Sequence, residues 1–168
     1  MPGNMISLAE HMVFSDMFKP IYSEGMDMVE EVASYLDGEG REEARNLSRV
    51  AATLYAAESM RLTTRLMQVA SWLLLQRAAR NGEMSRKQVE AEKAKVRLDT
   101  PSAGDAASGW NELPHAFIEL VERSIRLQAR VRRMDRNIYG EVVALQNAPQ
   151  GNPVTDQIVL LKTAFGAS

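Results

Sequence analysis

The stretch YAAESMRLTTRLMQVASWLLLQR, residues 55–77, decides the fold. It is dense in strong helix formers and contains neither Gly nor Pro. From Leu66 to Leu75 it is apolar nearly all the way round. A helix that is greasy on every side has to be covered on every side. The segment is therefore read as the central helix of an all-α protein, with the other elements packed around it.

Composition narrows the function classes. A chain of 168 residues is one domain of ordinary size, long enough to bury a core without crosslinks. Hydrophobic residues make up 45% and charged residues 25%, average for a globular protein. A formal net charge of -2 gives no reason to expect nucleic acid or an anionic membrane as partner. The sequence has no Cys, which excludes disulfides and thiolate zinc sites and fits a reducing compartment. The opening MPGNMISLAEHMVF lacks the basic flank and apolar core of a signal peptide. No apolar run approaches the ~20 residues that cross a bilayer. The expectation is a cytoplasmic protein with no membrane insertion. Ten Met against four Phe point to an adaptable core or contact surface.

The first long helix is predicted to start between Ser15 and Pro20, since Ser is a good N-cap and Pro is tolerated in a first turn. Residues 1–14 before it read as a flexible arm. Phe18, Ile21, Gly25, Met28, Val32 and Leu36 recur at intervals of three and four, marking one helical face. Gly25 on that face predicts close approach of a neighbouring helix. Asp37-Gly38 ends the helix. The short link Gly38-Glu39-Gly40 turns the second helix back antiparallel to the first. The second helix carries a stripe of Leu47, Val50, Leu54, Leu62, Leu66, Val69 and Leu73, with Met60, Met67, Leu74 and Leu75 off it, and stops at Asn81-Gly82. About 40 residues make it roughly 60 Å long. Such a helix needs equally long neighbours or a pairing with another chain.

Ser85-Arg-Lys-Gln88 has capping-box spacing and opens a short polar helix from Gln88 to Leu98. Residues 99–109, DTPSAGDAASG, read as a flexible linker, open to disorder. The third long helix begins near Asn111 or Pro114 and ends near Asn147. Its stripe of Phe117, Leu120, Ser124, Leu127, Val131, Met134, Ile138, Val142 and Leu145 is spaced as in coiled coils. Residues 148–168 form a tail, either a short docked helix or exposed. The domain is thus a three-helix bundle over 15–147, antiparallel and with long helices.

No catalytic constellation is visible. Glu112-Leu-Pro-His115 has the Glu-x-x-His spacing of carboxylate-bridged metal sites, but the second such motif is missing, so a solvent-exposed His near a helix start is the reading. No metal and no cofactor are predicted. Arg123, Arg126, Arg130, Arg132, Arg133 and Arg136 give the third helix a basic face. It could grip phosphates, but Glu119, Glu122 and Asp135 are interleaved and no aromatic stacking surface accompanies it. Glu58, Arg61 and Arg65 lie inside the greasiest helix. Two readings stay open for them: a structural polar layer that fixes helix register, or an exposed partner-binding patch.

The run from Glu58 through Arg61, Arg65, Gln68 and Trp72 to Gln76-Arg77 resembles the signature of the RcdA family, regulators of CtrA degradation in alphaproteobacteria. Tyr22-Ser-Glu-Gly25-Met, Tyr35-Leu-Asp-Gly38-Glu-Gly-Arg41, Gly82-Glu-Met84, Glu92-Lys-Ala-Lys-Val-Arg97-Leu98 and Leu113-Pro114 follow in the family's order. The resemblance covers roughly residues 15–145. It implies a three-helix bundle that forms a homodimer. It also implies a non-enzymatic adaptor that helps deliver substrates to the ClpXP protease during the cell cycle, together with other adaptor proteins. The family offers no contact motif to carry over. The residues themselves suggest Glu58, Arg61, Arg65, Arg123, Arg126, Arg130 and Arg133 as the partner-binding set. Leu66, Met67, Trp72, Leu74 and Leu75 are the candidates for core or dimer seam. The alternative function is a nucleic-acid-associated regulator that uses the arginines of the third helix.

Overall fold

The computed structural model describes the backbone of residues 3–147 and the side chains of 16–140. The chain divides into two compact units, Met1–Arg132 and Arg133–Ser168. The first contains α1 (Gly3–Asp37), α2 (Glu39–Ala44), α3 (Arg49–Arg80), α4 (Arg86–Lys93), a 3-10 turn at Trp110–Glu112 and the start of α5 (His115–Asn147). The described part of the second unit is the remainder of α5, where Met134 and Ile138 are half-buried and Arg133 and Arg136 exposed. No strand occurs among the described residues, and the all-α reading holds. The tail predicted over 148–168 lies outside the described residues.

Two helix starts differ from expectation. The first helix begins at Gly3 and runs through Pro20 without stopping. Pro removes one N–H from the ladder, and both Pro20 and Asp16, whose carbonyl loses that donor, are exposed to water. The second helix is two helices. Arg45 donates its N–H to Glu42 O and closes α2. Ser48 then accepts from the Ala51 amide at 3.3 Å and caps a fresh helix. The capping box at Ser85 and Gln88 is present in full, but the polar helix behind it stops at Lys93.

The core forms where the stripes of the long helices meet. Phe18, Ile21, Met28 and Val32 of α1, Leu62, Leu66, Val69, Trp72 and Leu73 of α3, and Phe117, Leu120, Leu127 and Val131 of α5 are buried. Gly25 marks a close approach of α1 to α3: a Cβ there would sit 2.5 Å from Leu73 Cδ1.

Cross-helix pairs give the directions. Tyr22 meets Arg77 and Gly25 meets Leu73, so α1 and α3 are antiparallel. Glu24 pairs with Arg130 and Glu31 with Arg123, so α1 and α5 are antiparallel too. Tyr55 meets Phe117 and Arg65 meets Ser124, so α3 and α5 run the same way. The bundle is therefore antiparallel only with respect to α1. Parallel neighbours need a crossover, and residues 81–114 supply it.

That crossover corrects a second expectation. Residues 97–103, which span the expected end of the polar helix at Leu98 and the first half of the linker expected to be flexible over 99–109, lie along the seam between α3 and α5 and are hydrogen-bonded to both. The polar side chains of the two helices point into this seam and take the backbone groups that a free linker would leave to water.

Candidate functional site

Glu58 and Arg65 are both fully buried, at 0% exposure. The exposed patch expected around Glu58, Arg61 and Arg65 is therefore an internal polar layer capped by the crossover. Arg65 Nη1 donates to Ser124 Oγ at 2.8 Å, and Ser124 donates to Val121 O at 2.6 Å. The rest of the Arg65 guanidinium donates to two strap carbonyls, Thr100 O at 3.3 Å and Pro101 O at 3.2 Å. Glu58 accepts from the Ser102 hydroxyl at 2.7 Å, the Ala103 amide at 2.8 Å and Arg61 Nη1 at 2.7 Å. Gln128 holds both the N–H and the carbonyl of Thr100 at 3.2 Å. Arg61 remains half-exposed.

These groups sit on adjacent turns because positions three and four apart share a helix face. Ser124, Gln128 and Arg132 follow the same spacing on α5. Sequence reasoning placed Ser124 in an apolar stripe and passed over Gln68, Ser102 and Gln128. The one signal available was a hydroxyl interrupting an otherwise apolar row.

Burial acts to raise the Glu58 carboxyl, but hydrogen bonds from the Ala103 amide, Ser102 and Arg61 outweigh it and hold the group below the usual carboxylate range. Burial lowers the Arg65 pKa, with Glu58 opposing and Arg61 reinforcing that shift. A carboxylate depressed in the folded state contributes stability above its unfolded pKa and loses it as pH falls through the folded value. The stability advantage of the native chain over Glu58→Gln is expected to be full above an ordinary carboxylate pKa of 4.5 and to close on further acidification. Urea unfolding of both proteins across that range measures it.

The arginines of α5 do not form one free basic face. Arg123 donates to both oxygens of Glu31, at 2.7 and 2.8 Å, and Arg130 to Glu24 at 2.6 Å. Hydrogen bonding from Arg123 is the main force holding the Glu31 carboxyl below its ordinary value. Arg132 is committed to Leu98 O. Arg126 is exposed, as is Arg133 in the second unit. Glu112 accepts from Ser48 Oγ rather than joining the exposed His115. Among the described residues, no three His, Asp or Glu are grouped to hold a metal ion.

The apolar candidates on α3 divide sharply. Leu66, Trp72 and Leu75 are buried core. Met67 and Leu74 are 58% and 51% exposed, and Met60, one heptad before Met67, is 73% exposed. Thr63, Thr64 and Ser71 lie exposed among them. This leaves an uncharged stripe with seven-residue spacing, opposite the core face. A second surface feature is an open cavity of about 370 Å³ where Tyr35 of α1, Glu39 of α2 and Glu119 of α5 converge.

A family model described as "Protein of unknown function (DUF1465)" matches residues 9–165. No curated protein matches the chain. Among solved structures, the chain is similar to the crystal structure of RcdA from Caulobacter crescentus CB15. The two are 52% identical, the match covers 73% of this chain and 90% of the other, and the TM-score is 0.60.

Proposed function

The chain belongs to the RcdA family, and from that premise we propose that it is a non-enzymatic adaptor in regulated proteolysis that helps deliver cell-cycle regulators to the ClpXP protease. The observation that carries this reading is the extent of its likeness to RcdA, 52% identity over 73% of this chain and 90% of the other. Its working parts are surfaces for other proteins. The proposed location is the cytoplasm, and no helix among the described residues is long and apolar enough to cross a membrane.

Reconstitution tests the reading. Purified ClpXP should degrade its regulator faster when this protein is added, and a rate unchanged across a titration sinks the proposal. Affinity capture from lysate of the protein's own source, read by mass spectrometry, should recover ClpX together with a regulator. Recovery instead of nucleic-acid machinery that disappears on nuclease treatment would favour the arginines of α5.

The same reading includes a homodimer, and the exposed α3 stripe is the proposed seam. Heptad spacing suits a facing helix, and the small residues between Met60 and Leu74 let a second backbone come close. The stripe is uncharged, so two copies meet without opposing like charges. Met67→Glu with Leu74→Glu is expected to weaken self-association roughly 100-fold or more, about 3 kcal/mol. Sedimentation velocity reads the change, and an unaltered sedimentation coefficient moves the seam elsewhere.

A further inference from the structure

Every residue between Val89 and Trp110 is described, and none of them is buried. The segment is nevertheless fixed along the seam of α3 and α5. What fixes it is hydrogen bonding to its backbone. Gln68 Oε1 accepts from the Arg97 amide at 2.8 Å, and Arg132 Nε donates to Leu98 O at 2.9 Å. Gln128 takes both backbone groups of Thr100, Arg65 takes the carbonyls of Thr100 and Pro101, and Glu58 takes the amide of Ala103. A single strap side chain takes part, the Ser102 hydroxyl on Glu58.

We propose that the seam between α3 and α5 is a binding groove for an extended peptide segment of a partner protein, held shut in cis by residues 97–103. Two physical points support it. Recognition through main-chain groups tolerates different sequences, with specificity confined to a few pockets. Here the one side-chain contact asks for a hydroxyl residue at the place of Ser102, while the Ala103 side chain is exposed and unconstrained. The groups whose bonds are lost when the strap lifts are charged and amide side chains, which water solvates. Segments with few buried apolar contacts open at low free energy. Gly104, with φ +78°, and Gly109, with φ +90°, bound the stretch on its far side. The inference does not rest on the adaptor reading, because it concerns what the groove grips.

The test uses the full chain and a fluorescein-labelled peptide of its own residues 95–105 as probe. Ser102→Glu sets a carboxylate against Glu58, and Ala103→Pro removes the amide that Glu58 accepts from. The double variant should release the strap, keep its helical circular dichroism, and bind the probe at least ~10-fold more tightly than the unaltered chain, whose own strap competes at high effective concentration. A probe carrying the same two substitutions should not bind. In the unaltered chain, the Arg97, Thr100 and Ala103 amides should exchange hydrogen at least ~100-fold faster than the amides of Leu66 to Leu73. Three results overturn the proposal: a released, helical variant that binds no better than the unaltered chain; a variant that loses its helical signal, which would make the strap part of the fold; or strap amides that exchange only at the rate of the core.

Discussion

Trp72→Ala is expected to cost about 3–5 kcal/mol of folding stability, the largest loss from any single truncation among the described residues. Trp72 is 1% exposed and is the largest side chain buried so completely among the described residues. Its neighbours along α3, Val69, Leu73 and Leu75, are buried as well and are fixed to the same helix. They cannot close the space, so the loss of transfer free energy is joined by a cavity. For a domain of this size the melting temperature should fall by roughly 6–20 °C. Trp72→Phe keeps much of the volume and should lose less than half as much. Calorimetry on the pair separates the cavity from the aromatic ring itself.

Arg65→Ala is expected to be the second largest, at about 3 kcal/mol. Removing one member of a buried charged set leaves its partners without their bonds. Here the Ser124 hydroxyl and the Pro101 carbonyl lose their donor, the Thr100 carbonyl keeps only Gln128, and Glu58 is left with Arg61 as its cation. The aliphatic stem of Arg65 also fills space inside the bundle, and alanine leaves that space empty. Arg65→Lys keeps the charge and most of the stem but cannot reach two successive carbonyls and a hydroxyl from one planar group. It should recover about half of the loss. Equal losses for the two variants, measured by urea unfolding, would show that the fork geometry rather than the stem carries the effect.

The long helices were legible because their periodicity is strong. Asp37 closes α1 as Gly38 predicts, and α5 starts immediately after Pro114. The stripe from Phe117 to Val131 is buried at the predicted positions. The break at residues 45–48 was not legible, because the flanking sequence keeps helical composition and the decisive cap is one Ser among many. The parallel run of α3 and α5 was out of reach for a related reason. Helix direction depends on the path of the crossover, and a polar, Gly-containing segment reads as flexible unless its hydrogen-bond partners are known. Those partners come from residues 28 to 45 positions away. The same blindness affected Glu58 and Arg65: spacing alone fits a surface patch and a buried layer equally well. Of the residues set off the main stripe, Met60, Met67 and Leu74 are exposed but Leu75 is buried, and Val50, placed on the stripe, is exposed, because which way each turns depends on where α1 and α5 lie.

The crossover's position also orders events in time. α1, α2 and α3 are consecutive in sequence, so their mutual contacts need no residue beyond Arg80. During synthesis they emerge before the rest. Residues 97–103 bond to α3 on one side and α5 on the other, so their place does not exist until α5 has docked. Closure of the strap is therefore expected to follow the docking of α5. A chain caught between the docking of α5 and that closure already has its hydrophobic core but still shows Glu58, Arg65 and Gln128 to water, and a quality-control protease or chaperone would meet it in that form.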